Sequence, residues 1–267
     1  MKSSLAVLIL GLGMLAPATA AQLSQFVWTI DDSAGGTADL GTTSLTLLGE
    51  GLSHEGVLSC ATASSVAGRV SVQAIVTPKE GMCTHEGLPA SIAALIVGDQ
   101  HITYATCQFA GGLAFDVVEG EAFGFSLQAL FEDAPYITSL EQFVFTPYWA
   151  ASDGALPGVA GLPILSGQGV LQPGEEMGLR VERAAPDALT TLVVGFSMGN
   201  TPFKGGVLVP TVDAVFTGLV TDAMGTLELH SVWPGGILVS LHLQAWIADA
   251  AGVQGFSASN TLSTRPL

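Results

Sequence analysis

Apolar and polar residues alternate with a period of two along much of the first half of the chain. In GRVSVQAIV (residues 68–76) Val70, Val72, Ala74 and Val76 lie on one face and the polar Arg69, Ser71 and Gln73 on the other. AFGFSLQAL (residues 122–130) repeats the pattern, with Phe123, Phe125 and Leu127 on one side. Such alternation is typical of strands that bury one face of a sheet. The pattern predicts antiparallel strands, and no segment of ten or more residues favours a helix.

The second half predicts further strands in MGLRVER, LTTLVVGF, GTLELHSV and GILVSLHLQAWI. The segment 189–196 is apolar on both faces, as a central strand of a sandwich would be. TDAMG (residues 221–225) and ADAAG (residues 248–252) have the Asp-to-Gly composition of tight turns. Roughly 90 residues with turns every 8–12 residues or so fit a seven-stranded sandwich.

These patterns predict an all-β protein made of two antiparallel β-sandwich modules. We expect a jelly-roll-like module over residues 24–150 and an Ig-like module over residues 175–267. The intervening residues, 151–174, hold six glycines and three prolines. That composition is typical of a linker or a long crossover, and we expect the domain boundary within it.

The first twenty residues resemble a secretory signal. Lys2 precedes an apolar run over residues 5–15, and Ala18-Thr19-Ala20 is a small-residue cleavage motif. The apolar run is shorter than the roughly 20 residues that a membrane-spanning helix needs. We therefore expect residues 1–20 to be a signal peptide and the protein to be secreted, or to lie at the cell surface or in the periplasm, without a transmembrane segment.

The net negative charge of the chain limits which classes of molecule it is expected to bind. The chain has 23 acidic and 7 basic residues, for a formal net charge of −16. Such a field repels the phosphate backbone, so nucleic acid is not an expected partner. Only 11% of residues are charged while 49% are hydrophobic and 33 are glycine, which favours sheets with glycine-rich turns over amphipathic helices.

Residues 175–264 resemble a C-terminal module of exported, uncharacterised bacterial proteins. The resemblance lies in PFKGGVLVP, then TDAMG, then WPGG, and finally QAWIADAAGVQGFSASN, in this order and spacing. It implies an extracellular β-sandwich appendage without an established catalytic residue. The N-terminal half resembles jelly-roll modules of exported proteins more loosely, through FDVVEGEAFGFSL and FVFTP.

Three cysteines, Cys60, Cys83 and Cys107, lie in the N-terminal half. In an oxidising compartment, three cysteines allow one disulfide and leave one thiol. Spacing alone does not choose among the three pairs. We favour Cys83–Cys107, because Cys83 lies in a turn-like segment and Cys107 closes a strand-like one.

Gly195-Phe196-Ser197-Met198-Gly199 fits the G-x-S-x-G pattern of serine hydrolases. Asp213 or Asp222, and then His230 or His242, follow in the order of an α/β-hydrolase triad. A nucleophile elbow needs a helix directly after the serine, whereas Asn200, Pro202, Gly205 and Gly206 follow here. We therefore interpret this stretch as a bend between strands, with Lys204 pairing to a carboxylate such as Asp213.

Three further features suggest ligands. Ser53–Gly56 and Thr84–Gly87 both contain His-Glu, with His101 downstream, but without the HExxH spacing of a zinc helix. The acidic loop Asp31–Asp39 could hold calcium, although the EF-hand spacing is absent. Trp28 and Trp149 could stack on sugar rings if they were exposed, while Trp233 and Trp246 are expected to be packing residues. No motif predicts a cofactor or a metal site.

The sequence thus predicts an exported, non-catalytic β-sandwich protein that binds a partner or associates with a surface, with glycans or an extracellular protein as candidate partners. The alternative is a structural or assembly subunit of an extracellular complex. A serine hydrolase using Ser197 is a further, less favoured alternative.

Overall fold

The structure of the protein, a computed structural model, describes residues 23–42, 44–49, 52, 56–78, 84–85, 88–89, 91–130 and 136–265. The proposed signal peptide, residues 1–20, lies outside the described residues. The chain divides into two compact units, Met1–Thr146 and Pro147–Leu267. Both units are built from antiparallel strands, and the helical structure among the described residues is a single 3₁₀ turn at Leu23–Gln25.

The first unit contains strands β1 to β12, of which β12 ends on the first residue of the second unit. Their bounds are β1 Thr29–Asp31, β2 Thr37–Leu40, β3 Leu45–Leu48, β4 Val57–Ala63, β5 Gly68–Pro78, β6 Thr84–His85, β7 Leu88–Pro89, β8 Ser91–Val97, β9 Gln100–Ala105, β10 Phe109–Val117, β11 Ala122–Ala129 and β12 Tyr136–Pro147.

Two five-stranded sheets form the first sandwich, in the orders β1-β4-β11-β8-β9 and β10-β5-β12-β3-β2. The chain crosses from one sheet to the other between β1 and β2, β3 and β4, β4 and β5, β5 and β8, β9 and β10, β10 and β11, and β11 and β12. The four-strand sets β3-β12-β5-β10 and β4-β11-β8-β9 are the two sheets of a jelly roll. The first module therefore has the expected architecture.

The core of the first sandwich is formed by the alternate side chains of these strands. Val70, Val72, Ala74 and Val76 of β5 are buried, as the period-two pattern requires. Phe123 of β11 is fully buried and packs edge to face against Phe26 and Trp28 while stacking on Phe143 and Phe145. Aromatic pairs in these geometries stabilise a core by more than their buried area alone.

The second unit contains strands β13 to β23. Their bounds are β13 Trp149–Ser152, β14 Ile164–Gln168, β15 Glu176–Glu182, β16 Leu189–Gly195, β17 Met198–Phe203, β18 Gly206–Pro210, β19 Ala214–Val220, β20 Leu227–Val232, β21 His242–Val253, β22 Phe256–Ala258 and β23 Thr261–Thr264.

The second sandwich has one sheet in the order β13-β23-β21-β16-β19, with β22 added to β21, and a three-stranded sheet in the order β14-β15-β20. The hairpin β17–β18 forms a separate two-stranded sheet. Three strands facing the strands β19, β16, β21 and β23 give the seven-stranded core of an Ig-like sandwich. The second module therefore also has the expected architecture.

The glycine-rich segment 151–174 differs from the expectation of a boundary within it. The division between the units falls at residues 146 and 147, and the whole segment belongs to the second unit. Here the chain passes from β13 in the larger sheet to β14 in the smaller one. The segment is thus a crossover inside the sandwich, and its glycines and prolines serve the turns between the two sheets.

A buried side-chain amide joins four segments of the second sandwich. Gln244 of β21 has no exposed surface, and its Oε1 accepts hydrogen bonds from the backbone N–H of Val209 (3.0 Å) and from Nε1 of Trp246 (3.2 Å). Its Nε2 lies within hydrogen-bonding distance of the carbonyl oxygens of Gly154, Val207 and Ser259, at 2.9, 3.2 and 3.2 Å. The amide thereby fixes the crossover and the β17–β18 hairpin to β21.

Asn260 ties the two sheets together near the end of the chain. Its Oδ1 accepts a hydrogen bond from the backbone N–H of Leu165 (2.7 Å), and its Nδ2 donates to the carbonyl oxygen of the same residue (3.0 Å). The side chain thus imitates a paired strand beside β14. The neighbouring Ser259 accepts a hydrogen bond from the N–H of Ala245 through its Oγ (2.9 Å). Both residues belong to the SASN stretch of the resemblance.

We predict that Gln244→Leu lowers the free energy of unfolding of the second unit by about 3–5 kcal/mol. The substitution leaves several buried backbone groups without a partner, and each such group costs about 1–3 kcal/mol. Urea unfolding of the full chain measures the change. Gln168→Leu, at an exposed position on β14, is the control and should shift the same transition by less than about 0.5 kcal/mol. Equal effects of the two substitutions would contradict the role assigned to Gln244.

Candidate functional site: the open side of the second sandwich

One side of the second sandwich is bounded by the last strands of its two sheets. β19 pairs with β16 along one edge, and β20 pairs with β15 along one edge. Among the described residues, no strand pairs with the other edge of either. An unpaired edge leaves backbone N–H and C=O groups available to another strand. We call the space between β19 and β20 the open side.

A cavity of about 400 Å³ lies between the sheets at the open side. Its lining is almost entirely apolar, with inward-facing residues of both sheets and residues of the segment that follows β20. These residues are Trp149, Met177, Leu179, Leu192, Val194, Phe216, Leu219, Leu229, His230, Ser231, Val232, Trp233, Pro234, Ile237, Leu241, Leu243 and Thr264. A cavity of this size, lined in this way, falls in the range of ligand sites in proteins.

Large apolar side chains around the cavity remain exposed to water. Phe216 contributes to the lining and yet is 54% exposed, and Val215 and Val220 of the same strand are about as exposed. Val232 of β20 also lines the cavity and is exposed, and Leu238, in the segment after β20, is 81% exposed. Clustered apolar exposure of this kind marks interaction surfaces more often than single exposed residues do.

The two edges of the open side differ in regularity. β19 contains a β-bulge, because Thr190 and Leu192 of β16 stand opposite Leu219 and Phe216, which are three residues apart. Gly218 has a φ of 77° and supplies the left-handed conformation of the bulge. β20 pairs with β15 in unbroken register from Leu227 to Val232. The regular edge is therefore that of β20.

Charged groups frame the open side. Glu228 projects from β20 and its carboxylate lies 3.6 Å from the guanidinium of Arg180 on β15, with His230 Nε2 4.0 Å away. Asp213 and Asp222 flank β19, which itself holds no charged residue. Asp213 accepts hydrogen bonds from the Thr211 hydroxyl (2.6 Å) and the Phe196 N–H (2.8 Å), and these bonds hold the pKa of its carboxyl below the usual value.

Ser197 does not have the surroundings of a hydrolase nucleophile. The strand β17 begins at Met198, where a nucleophile elbow would have a helix. The Ser197 Oγ lies 3.4 Å from Thr211 Oγ1. Of the two candidate histidines, His242 contacts Ser263 Oγ through its Nδ1 (2.8 Å) and His230 lies beside Glu228. The prediction of a bend between strands is therefore confirmed.

We predict that a fluorophosphonate probe does not label Ser197, because no imidazole among the described side chains contacts its hydroxyl to act as a base. Mass spectrometry of the probe-treated protein measures the labelling, with a serine hydrolase in the same sample as the positive control. Labelling that disappears in Ser197→Ala would show that Ser197 is an activated nucleophile and would contradict the prediction.

The expected ion pair of Lys204 with Asp213 is wrong. The Lys204 Nζ lies 4.8 Å from the centre of the Phe256 ring, while Asp213 is bound to Thr211 and Phe196. Lys204 and Gly205 both have positive φ, 47° and 80°, and form the tight turn of the β17–β18 hairpin. The turn brings the ammonium group over an aromatic face instead of near a carboxylate.

The tryptophans of the sugar-stacking hypothesis are buried. Trp28 belongs to the core of the first sandwich, and Trp149 lies between the sheets of the second with its Nε1 donating to the carbonyl of Gly169 (3.0 Å). Neither presents an open ring face. Trp233 and Trp246 are buried as well, in agreement with their expected role in packing.

The residues considered for metal binding are only partly described. His54 lies outside the described residues, and only the backbone of His85 is described. The imidazole of His101 lies beside Ser126 Oγ (3.4 Å), and Asp31 Oδ1 accepts the N–H of Ser33 (3.1 Å) at the start of the acidic loop. Within the described part of the chain, no three His, Cys, Asp or Glu residues are grouped to hold a metal ion.

Cys60 is a free, fully buried thiol on β4. Burial raises its pKa to about 12, because the thiolate would lose its hydration. Cys83 lies outside the described residues, so the proposed Cys83–Cys107 disulfide stays a prediction. A buried, protonated Cys60 leaves the other two cysteines for that bond.

We predict that the unreduced protein shows no thiol reactive to Ellman's reagent at pH 8 while folded, and one in urea. The folded state keeps Cys60 protonated and out of reach. Reduction before unfolding should raise the count to three, from the three cysteines of the chain. Three reactive thiols in urea without reductant would contradict the disulfide.

Comparison with known proteins adds no family. No family model matches the chain, and no curated protein matches it. A β-1,2-glucanase from Parabacteroides distasonis matches 90% of this chain at 13% identity and a TM-score of 0.24. The match covers 36% of the glucanase, so this chain spans just over a third of that protein's length.

A second solved structure, an F-lectin (fucolectin) from striped bass (Morone saxatilis) serum, matches 83% of this chain and 86% of its own at 10% identity and a TM-score of 0.26. At such low scores, neither likeness supports a statement about the function of this chain. No helix in the described part of the chain has the length and apolar character needed to cross a membrane.

The sequence patterns did not predict the open side of the second sandwich. AVFTGLV (Ala214–Val220) was not among the predicted strands, although it is the edge strand β19. Its signal was the combination of consecutive apolar residues and no charge over seven residues. A natural edge strand is usually protected by charge, so an uncharged one indicates a surface that is covered by something else.

Proposed function

We propose that this protein is an exported, non-catalytic binding protein and that it binds its partner through the open side of the second sandwich. The observation that carries the proposal is the apolar cavity of about 400 Å³ that opens between β19 and β20, whose outer edges pair with none of the described strands. The cavity offers apolar burial, and the strand edges offer backbone hydrogen bonds. These are the two contributions on which strand-adding recognition depends.

The energetic basis is the exposed apolar surface. Val215, Phe216, Val220, Val232 and Leu238 are all exposed around the open side. Covering such side chains yields about 25 cal/mol for each Å² removed from water. A protein that leaves this much apolar surface beside an open cavity gains stability when a partner covers it.

The non-catalytic part of the proposal is supported by the strand that follows Ser197. Its export is supported by the residues of the N-terminal segment alone. The proposed relation to the C-terminal module of exported bacterial proteins rests on the sequence motifs of residues 175–264 alone. Glycan recognition has no comparable support, because the four tryptophans are buried.

A structural or assembly subunit is the second candidate, and one observation favours it. β19 has no charged residue in its seven positions, so another sandwich of the same complex could approach it without an unpaired charge. In that case the open side would be covered permanently by a neighbouring subunit instead of binding a partner reversibly.

Binding of Nile red, a neutral dye that fluoresces strongly out of water, tests whether the open side accepts an apolar group. We predict saturable binding to the full chain, measured as a rise in dye fluorescence as the dye enters the apolar cavity. Phe216→Ser should weaken this binding about threefold to tenfold, because Phe216 is 54% exposed and covering half of a phenylalanine side chain is worth about half of the roughly 1.5–3 kcal/mol of full burial.

Ile102→Ser is the matched control, since Ile102 of β9 is also a large apolar residue, 46% exposed, in the other unit. It should leave dye binding unchanged. Absence of saturable binding, or equal loss in both variants, would overturn the proposed site.

A further inference from the structure

The smaller sheet of the second sandwich has an unoccupied strand position. Its order, β14-β15-β20, ends at β20, because the strand that would be fourth on this sheet in a constant-type immunoglobulin domain is here β19, which pairs with β16 on the other sheet. Among the described residues no strand occupies it. The cavity lies beside this position, where inward side chains of a fourth strand would enter the core.

An added strand would complete both the sheet and the core. Leu227 and Leu229 of β20 stand opposite the buried Val181 and Leu179, so they face the interior. Because side chains alternate along a strand, every second residue of a strand beside β20 would face the interior too. Those residues would cover Phe216, which is half exposed, and Leu219, both lining the cavity from the opposite sheet.

β20 is the better edge for this addition. Its pairing with β15 is regular over six residues, whereas the bulge at Gly218 interrupts β19. A bulge twists an edge away and disrupts further pairing. An incoming strand would therefore take its backbone hydrogen bonds from β20 and its apolar contacts from the cavity.

The charges on the outward face of the sheet favour basic residues on a strand added beside β20. Glu228 and His230 face outward on β20, opposite Arg180 and Gly178 on β15. Asp213 and Asp222 mark the two ends of the open side on β19, and the whole chain carries a formal charge of −16. A strand with basic residues at its outward positions would lie next to Glu228 and within this acidic frame.

The same charges disfavour a second copy of this chain as the occupant. Pairing β20 with an antiparallel copy would place Glu228 near Glu228 or His230 of the other copy, depending on the register, and would join two chains that each carry a formal charge of −16. Pairing through β19 would bring Asp213 of one copy near Asp222 of the other, because antiparallel self-pairing superposes opposite ends of a strand. Like charges placed opposite each other destabilise a strand pair.

We propose that an extended segment of a basic partner protein adds to β20 as a fourth strand, with alternate apolar residues in the cavity and lysine or arginine residues facing outward. This inference rests on the proposed function, because it names the partner of the same open side. In this arrangement β20 provides the backbone hydrogen bonds, and Glu228, Asp213 and Asp222 favour a partner segment with basic side chains.

A synthetic nine-residue peptide, with lysine at odd positions, valine at even positions and a rhodamine label, tests the inference by fluorescence anisotropy with the full chain. We expect saturable binding that displaces Nile red and weakens with added salt. Replacing lysine by glutamate, or valine by serine, should each weaken binding at least tenfold. Glu228→Gln should weaken it about twofold to fivefold, as expected for one cross-strand charge pair, and Ile102→Ser should not change it.

Backbone methylation separates strand addition from simple apolar contact. In an extended strand the amides of alternate residues point to opposite edges. N-methylation of the valines alone or of the lysines alone should therefore abolish binding in one peptide and spare it in the other. Equal effects of the two methylations would overturn strand addition.

Two further outcomes are informative. Nile red binding that depends on Phe216 without any peptide binding would overturn this inference and leave the proposed function standing, whereas failure of both would overturn both. Sedimentation that shows a dimer of the protein alone, lost in Phe216→Ser, would overturn it in favour of a second copy as the occupant.

Discussion

The second sandwich depends on the buried amide of Gln244. The Gln244 side chain has no exposed surface, and it satisfies the N–H of Val209 and the carbonyls of Gly154 and Ser259. It thereby holds the β17–β18 hairpin and the crossover against β21, with which neither pairs as a strand. Buried backbone groups need such partners, since water is absent. Gln244 fixes the crossover and the hairpin on β21, and Asn260, directly before β23, joins that part of the chain to β14. The sandwich therefore keeps its shape although none of the described strands lies at its open side. The cavity can stay open because the remaining framework is tied by polar contacts rather than by the packing of that side.

Much of this fold could be predicted from local sequence. Period-two alternation located β5 and β11, because one face of each strand is buried, and it correctly indicated two antiparallel sandwiches. The boundary could not be placed in the same way. Glycine and proline in residues 151–174 signal turns, but composition does not distinguish turns between domains from turns between the two sheets of one domain. The contacts of Gln244 and Asn260, from about 90 residues further along the chain, decide that question, and such distances leave no local signal.

The candidate site was less accessible to sequence reasoning for a related reason. Ser197 drew attention because its motif is local, yet its chemistry depends on which structure follows, and that structure is the strand β17. Lys204 was assigned a carboxylate by charge alone, whereas the turn at Gly205 directs it over Phe256. The open side, by contrast, has no motif at all. It arises from the absence of pairing beside β19 and β20 among the described residues, and a missing neighbour can be recognised only when the strands that are present have been arranged in space.

The bulge at Gly218 also affects whether further copies of this chain can add along β19. An uncharged strand with free hydrogen-bonding groups is the kind of edge from which fibres grow, since each added copy offers the next one an identical template. The extra residue in β19 breaks the regular spacing of those groups along this edge of the larger sheet. The bulge therefore opposes the repeated addition of identical strands along β19.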